Sequence, residues 1–282
     1  MKQHFSITNK LGQRMAIAST LSVVATAALA SSAGAARLRV TIDNLAPENG
    51  TFLTPVWVGF HNGTFDIYDR DVSLDLFPGT EALVEDGITA PLSARFADEA
   101  PTGVDGTIFG PNGPLGVGES TSFTFDVDAS NQYFSYASMV IPSNDAFVAN
   151  GNPLAFEIFD DAGKFLGADF TVTGSQVLDG GTEINDEAEF STAFLGQQTP
   201  DTGVDENGVV TEHPGFEPGG RILSAVDFGP NSLTFTGADF TQPGYQIARI
   251  RVEKVPEPAT VLGLLALSGG MVAAGRTRKA HS

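Results

Sequence analysis

Apolar and polar residues alternate with a period of two through most of the chain between residues 37 and 255. This pattern is typical of β-strands with one buried face, because successive side chains of a strand point to opposite sides. It predicts strands at residues 37–43, 56–62, 122–128, 133–141, 154–160, 165–174, 232–237 and 246–255. The sequence Asp-Asp-Ala-Gly-Lys at 160–164 predicts a hairpin turn in which Gly163 supplies the positive φ.

Few segments show helical periodicity, which indicates an all-β fold. One short helix is predicted at 79–87, with Thr80 as its N-cap and Glu81 in its first turn, and a second near 185–196. Stretches rich in Gly and Pro, such as 110–118, separate the strands. The chain is therefore expected to be all-β, an eight-stranded antiparallel sandwich of two sheets with one or two short helices.

The N-terminal segment, residues 1–35, has the order of features of a secretory signal peptide. Lys2, Lys10 and Arg14 precede an uncharged apolar stretch at 15–30, and small residues suited to cleavage follow. The sequence therefore predicts an exported chain whose folded domain comprises residues 36–254.

The C-terminal segment, residues 255–282, carries a second targeting signal. Pro-Glu-Pro at 256–258 precedes an uncharged apolar run at 259–275, which is short for a membrane span, and a basic cluster follows. This order resembles the PEP-CTERM sorting signal of Gram-negative bacteria. The resemblance implies recognition by an exosortase, transient anchoring by the C-terminal helix, and delivery to the cell-envelope surface or the exterior. A plain C-terminal membrane anchor is the alternative.

Charge restricts the partners of the domain. Without its two targeting segments the chain keeps nine basic and 33 acidic residues, a net charge of −24. Such a surface repels nucleic acid and anionic lipid but is compatible with divalent cations. The chain has no cysteine, so its stability must come from a packed core or a bound metal.

Two acidic blocks are the candidate site. Asp145 follows the apolar strand 133–141 in the sequence Pro-Ser-Asn-Asp-Ala-Phe, and Asp179 and Glu183 flank two glycines that allow a tight reversal. Clustered carboxylates must be protonated or share a cation, and oxygen ligands favour Ca²⁺. The alternative is that both blocks are ordinary turns. Residues 201–212 do not fit an EF-hand loop, and a flexible acidic loop is expected there.

Five segments occur in the order seen in the spondin domain, which F-spondin, mindin and bacterial envelope proteins share. They are residues 56–69, 77–87, 138–148, 178–187 and 244–255. The resemblance implies a C2-like sandwich with a Ca²⁺ site held by Asp145, Asp179 and Glu183. The animal domains have Asp where this chain has Glu183, and they have disulfides that this chain lacks.

These observations predict a calcium-binding, adhesion-type module of the cell surface or extracellular matrix, not an enzyme. Its partners would be a surface polysaccharide or a matrix protein. A carbohydrate-binding module is the alternative, favoured if Phe52, Tyr68 or Phe216 cluster on the surface. A secreted glycoside hydrolase would need a carboxyl pair in a cleft away from any metal. Trp57, the one tryptophan, is expected in the core.

Overall fold

The structure, a computed structural model, describes residues 35–224 and 233–256 of the 282-residue chain. Within these ranges the chain forms eleven strands and two α-helices. The strands are β1 (Ala36–Asn44), β2 (Phe52–Leu53), β3 (Val56–His61), β4 (Val104–Ile108), β5 (Ser120–Val127), β6 (Tyr133–Ile141), β7 (Ala146–Ala149), β8 (Ala168–Thr173), β9 (Leu178–Asp179), β10 (Thr211–Glu212) and β11 (Gln246–Lys254). The helices are α1 (Thr80–Asp86) and α2 (Ala90–Glu99). The predicted all-β sandwich with one or two short helices is confirmed, but the described residues form eleven strands where eight were predicted.

The strands form two antiparallel sheets. The first has the order β5-β1-β11-β8, and the second has the order β10-β9-β7-β6-β3-β4 with β2 paired to β6. Register in the first sheet places Val40 opposite Val252 on one side and Phe123 on the other. Alternate residues of β1 therefore point into the sandwich, as the period-2 pattern predicted.

A large apolar core lies between the two sheets. Leu38, Val40 and Ile42 of β1 are fully buried in it, because each faces the second sheet. Phe60 of β3 and Phe134 of β6 meet them from that sheet, with ring centroids 5.3 Å apart.

A second apolar cluster covers the other face of the seven-stranded sheet. Trp57 from β3 packs there against Phe65 and against Phe96 of α2, and its ring has no exposed surface. The expectation that Trp57 belongs to the core is confirmed. Because β3 and β6 are covered on both faces, their residues are almost all buried, which explains the continuous apolar run at 133–141.

Two predicted strands are not formed. Residues 154–160 make only single-residue bridges, because their backbone groups bond alternately to residues 132–134 and 164–166. The described part of 232–237 ends in a turn closed by a bond from the Ala238 amide to the Phe235 carbonyl. The hairpin turn at 160–164 is confirmed, with Gly163 at φ 74°.

The helix predictions were correct in one place and wrong in another. Helix α1 is present, but its N-cap is Gly79 in the left-handed region, and Thr80 is instead a buried helical residue that donates to the Ile67 carbonyl. Residues 185–196 form separate turns, because Glu187 and Phe194 have φ of 51° and 69°, which a helix does not accept. Helix α2 was not predicted.

The targeting segments fall almost entirely outside the described residues. Only Ala35 of the predicted signal peptide and the first two residues of the predicted tail are described, and the apolar run at 259–275 is not. Among the described residues, no helix has the length and apolar character needed to cross a membrane.

Candidate metal centre

The turn between β6 and β7, residues 142–145, presents the first acidic block. The Ser143 hydroxyl donates to the Val140 carbonyl at 2.6 Å and accepts from the Ala146 amide at 3.1 Å. Through these two bonds, the Ser143 side chain joins the end of β6 to the start of β7. The turn therefore fixes the backbone on both sides of Asp145, whose own side chain points into the protein with no exposed surface.

The carboxylate of Asp145 is bonded on one oxygen only. Its Oδ2 accepts hydrogen bonds from the Thr182 amide at 2.9 Å, the Thr182 hydroxyl at 3.2 Å and the Glu183 amide at 3.2 Å. Its Oδ1 is buried and has no hydrogen-bond partner in the described parts of the chain. Burial, and secondarily the charge of Asp179, raises the pKa of Asp145 to about 7.

The second acidic block lies directly beside the first. Strand β9 pairs with β7 so that Asp179 is opposite Ala146, and the Gly180 amide bonds to the Asp145 carbonyl at 3.2 Å. Gly181 then turns the chain with φ 65°. The predicted convergence of the two blocks is therefore what the fold produces.

Asp179 has both carboxylate oxygens bonded. Its Oδ1 accepts from the Gly181 amide at 2.8 Å, and its Oδ2 accepts from the Asn185 side-chain amide at 2.6 Å. Asn185 in turn accepts from Nε2 of His213 at 3.2 Å, since Nδ1 of that ring accepts from the Gly215 amide. Burial lowers the pKa of His213 to about 4. The histidine is therefore neutral at pH 7 and fixes Asn185 beside Asp179.

Glu183 resembles Asp145 in having one bonded and one unbonded oxygen. Its Oε1 accepts from the Gly203 amide at 2.7 Å, whereas Oε2 is buried without a hydrogen-bond partner among the described residues. Burial is the largest cause that raises the pKa of Glu183; the Gly203 amide and the Asn144 side chain lower it, and the charges of Asp86 and Asp201 raise it further.

Glu85 is a fourth buried carboxylate here, contributed by α1. Burial raises its pKa to about 8, the Thr182 hydroxyl lowers it, and the charge of Glu183 raises it. We refer to Glu85, Asp145, Asp179 and Glu183 as the carboxylate cluster. None of the four ion pairs within the described ranges includes a member of this cluster.

The cluster is assembled but not arranged as a finished metal site. Across residues 35–224 and 233–256, no three His, Cys, Asp or Glu side chains converge in a way that would hold a metal ion. Asp145 and Glu183 each offer one unbonded oxygen, while Asp179 offers none. The assignment of Ca²⁺ to Asp145, Asp179 and Glu183 stays a prediction.

The acidic segment after residue 200 closes over the cluster. Its backbone runs antiparallel to 181–184, with bonds from the Glu206 amide to the Thr182 carbonyl at 2.8 Å and from the Gly208 amide to the Gly181 carbonyl at 2.7 Å. The expected acidic loop is therefore a mostly exposed segment that is hydrogen-bonded along residues 181–184. It makes no EF-hand loop.

Sequence reasoning missed several members of this site. Glu85 lies inside the helix predicted at 79–87, and His213 follows the acidic segment 201–212; neither has a local sequence pattern that marks it as a neighbour of Asp179 or Glu183. Thr182 was visible inside the Asp-Gly-Gly-Thr-Glu block. Its hydroxyl group, which follows the two glycines, was the one sequence signal for the additional hydrogen bond to Asp145.

The aromatic residues proposed for sugar binding do not form the expected surface group. Tyr68 is buried and packs on Phe147, and Phe216 is half-buried against His213 and Phe240. Phe52 is half-buried beside Phe194. Phe52 and Phe216 both pack against a small apolar cluster that includes Phe235, whereas Tyr68 is buried in a different cluster, so the three residues do not form one exposed group.

The comparison with protein families gives one match. Residues 254–279 match the PEP-CTERM protein-sorting motif. The chain is thus an exported bacterial protein sorted to the cell surface, and the exosortase sorting machinery is its partner in that step. No curated protein matches the chain.

Proposed function

We propose that this surface-sorted protein is a spondin-like interaction module in which Ca²⁺ binds at the carboxylate cluster and fixes the surrounding loops for contact with a partner. The resemblance to spondin domains rests on the Pro-Ser-Asn-Asp-Ala-Phe and Asp-Gly-Gly-Thr-Glu blocks. The direct bonds between these blocks support it, since residues 37 positions apart meet through Thr182 and Asp145.

The observation that carries the proposal is the unbonded Oδ1 of Asp145. A buried carboxylate oxygen without a hydrogen bond costs about 1–3 kcal/mol or more, so native proteins rarely leave one. Glu183, whose backbone amide bonds to Asp145, has a second such oxygen. A proton or a cation would satisfy an oxygen of this kind, and carboxylate oxygens are the ligands that Ca²⁺ prefers.

The residues present fit a hard cation in part. Asp145 and Glu183 would hold Ca²⁺ through their unbonded oxygens, which are the ligand type this ion prefers. Asp179 would join them only by releasing the Gly181 amide or the Asn185 side chain. When bound, the ion would supply the positive charge that the cluster lacks.

A binding role fits the cluster better than an enzymatic one. A catalytic carboxyl group must touch its substrate, whereas Asp145 has no exposed surface and Glu183 is 3% exposed. What the cluster does control is the relative position of the turn at 142–145, the segment 179–183 and the segment 201–208. These are loops, the part of a β-sandwich in which partner contacts usually lie.

Thermal unfolding of the full chain at pH 8 tests the proposal. Extracellular Ca²⁺ modules bind with Kd of about 10⁻⁴–10⁻³ M, so 5 mM CaCl₂ is expected to add roughly 1–2 kcal/mol of stability over EGTA. The same concentration of MgCl₂ is the matched control, because Mg²⁺ accepts irregular protein ligand sets poorly.

Variants of the proposed ligands test whether the stabilisation by calcium depends on them. Asp145→Asn and Glu183→Gln are expected to abolish the response to calcium, whereas Asp126→Asn, an exposed change on β5, keeps it. A wild-type chain that melts at the same temperature in Ca²⁺ and EGTA refutes the calcium site. The two blocks would then be turns held by hydrogen bonds and protonated carboxyl groups.

A further inference from the structure

A groove that contains no member of the carboxylate cluster opens beside the short strand β2. It has a volume of about 610 Å³, within the range of about 300–1,000 Å³ of small-ligand sites. Its walls come from the loop after β1, the loop before β5, residue 194 and residues 233–234. The residues that bear on ligand chemistry are Glu48, Asn49, Phe52, Asn112, Glu119 and Phe194.

Two phenylalanine rings form the apolar part of the groove. The rings of Phe52 and Phe194 meet edge to face with centroids 5.9 Å apart, and the buried ring of Phe235 packs against both of them. Phe194 is 36% exposed, so part of its ring is available to a ligand. An aromatic surface backed by a third ring is rigid.

The backbone holds Phe194 in a conformation that a phenylalanine adopts only under constraint. Its φ is 69°, in the left-handed region. The constraint comes from the neighbouring residues, since the Ala193 amide bonds to the Ser143 carbonyl and the Leu195 amide to the Thr192 carbonyl, both at 3.0 Å. Strained residues of this kind concentrate at binding and catalytic sites.

The rim of the groove is polar and has free hydrogen-bonding capacity. The side chains of Glu48, Asn49 and Asn112 are exposed and make no hydrogen bond to other described residues. One carboxylate oxygen of Glu119 is already bonded, because its Oε2 accepts from the Gly116 amide at 2.7 Å and so holds the loop before β5. The rim therefore offers carboxylate and amide groups next to aromatic rings.

This combination matches the two chemical faces of a sugar. A pyranose ring has an apolar face of C–H groups that stacks on an aromatic side chain, and a rim of hydroxyl groups that bond to amides and carboxylates. None of the groove residues that the structure describes is Lys or Arg, and two are Glu. An anionic glycan would be repelled by them, whereas a neutral one would not.

We propose that this groove binds a neutral glycan, with Phe52 and Phe194 stacking on a sugar ring and Asn49, Asn112 and Glu48 bonding its hydroxyl groups. The site does not include the carboxylate cluster and does not depend on whether Ca²⁺ binds there. Of the three aromatic residues that the sequence analysis named for sugar binding, only Phe52 lines this groove, and Phe194 is its second aromatic residue.

Affinity electrophoresis tests this proposal on the full chain in a detergent that carries no sugar. Native gels contain one of four neutral polysaccharides, namely dextran, galactomannan, glucomannan or hydroxyethyl cellulose, or the anionic polygalacturonate. The wild-type chain is expected to be retarded by at least one neutral polysaccharide and not by polygalacturonate. Retardation as a function of polysaccharide concentration gives Kd.

Matched variants locate the binding. Phe194→Ala and Asn112→Ala are expected to weaken binding at least tenfold, while Phe123→Ala, which removes a 56% exposed ring outside the groove, leaves Kd unchanged. Asn112 is exposed, so its variant keeps the fold even if the Phe194 variant does not. No retardation in any neutral polysaccharide, or equal loss in the Phe123 variant, overturns the proposal. A calcium-independent melting temperature would leave it standing.

Discussion

Replacing Asp145 with Asn is expected to stabilise the calcium-free protein at pH 8, although it alters a fully buried, hydrogen-bonded residue. Burial raises the pKa of Asp145 from 3.8 to about 7. A carboxyl group with a raised pKa contributes stability that is complete below pH 3.8 and is lost as the pH rises through about 7. The wild-type chain must therefore lose stability between pH 5 and pH 8 when no cation is present.

The size of this effect follows from the shift. At about 1.4 kcal/mol per pKa unit, ionisation of Asp145 costs about 4 kcal/mol of unfolding free energy. Asn keeps an oxygen for the Thr182 and Glu183 amides and is never charged. Its NH₂ group replaces the unbonded Oδ1, and leaving that group unpaired costs about 1–3 kcal/mol. The net gain for Asp145→Asn is therefore roughly 1–3 kcal/mol at pH 8.

Urea denaturation in EGTA at pH 5 and pH 8 measures these values for the wild-type chain and the variant. The variant is expected to be more stable than wild type at pH 8 and no more stable at pH 5, where wild-type Asp145 is protonated. Asp126→Asn, at an exposed position, should follow the wild-type profile. A variant that is less stable than wild type at pH 8 would refute the reasoning, because the ionised carboxylate would then be favourable in the folded chain.

Three further outcomes are expected. Glu187→Ala should lower the free energy of unfolding in urea by about 1–3 kcal/mol more than Glu187→Gln, since Ala leaves the Glu217 and Ile222 amides both without their acceptor whereas Gln keeps an oxygen for one of them; equal losses would contradict this. Gly181→Ala should lower the melting temperature more than Gly118→Ala. Both have positive φ, but only at Gly181 would the new Cβ meet backbone atoms, those of Val209 at 2.6 Å. Changing Pro256–Pro258 to alanines should leave a cell-associated chain that keeps its tail, as intact mass spectrometry would show.

A strand or helix was predictable from the sequence when one regular face of it is buried, because only then does its pattern of apolar residues reveal it. Strands β1 and β11 bury one face against a partner sheet, so their alternation identifies them. Strand β4 and helix α2 were missed, because their burial depends on each other and on Phe96 packing over Trp57. The segment 185–196 has helix-favouring residues, yet Glu187 and Phe194 have positive φ, and its bonds go to distant residues, with the Ala193 amide on the Ser143 carbonyl and the Glu187 carboxylate on the Glu217 and Ile222 amides.

The candidate site also has a part that the sequence predicts and a part that depends on tertiary packing. The meeting of Asp145 with the segment after Asp179 was predictable, because two glycines permit a reversal and both blocks end strands. The bonds that occupy both oxygens of Asp179 were not, since Asn185 and the neutral His213 reach it only through tertiary packing. The position of Glu85 in the site was not predictable either, because it belongs to α1 and nothing in the sequence of that helix distinguishes it from Glu81.

The turn at 142–145 links the two proposed sites through short hydrogen-bonded steps. Asp145 faces the carboxylate cluster, while the adjacent Asn144 donates to the Ser191 hydroxyl and accepts from the Thr192 hydroxyl, both at 3.3 Å. The Ser143 carbonyl then accepts from the Ala193 amide, one residue before the exposed ring of Phe194. The Asp145 side chain and the backbone next to Phe194 are therefore attached to the same turn. A chain without disulfides thus holds its candidate cation site and the aromatic wall of its groove in place through one hydrogen-bonded turn, although the two sites share no residue.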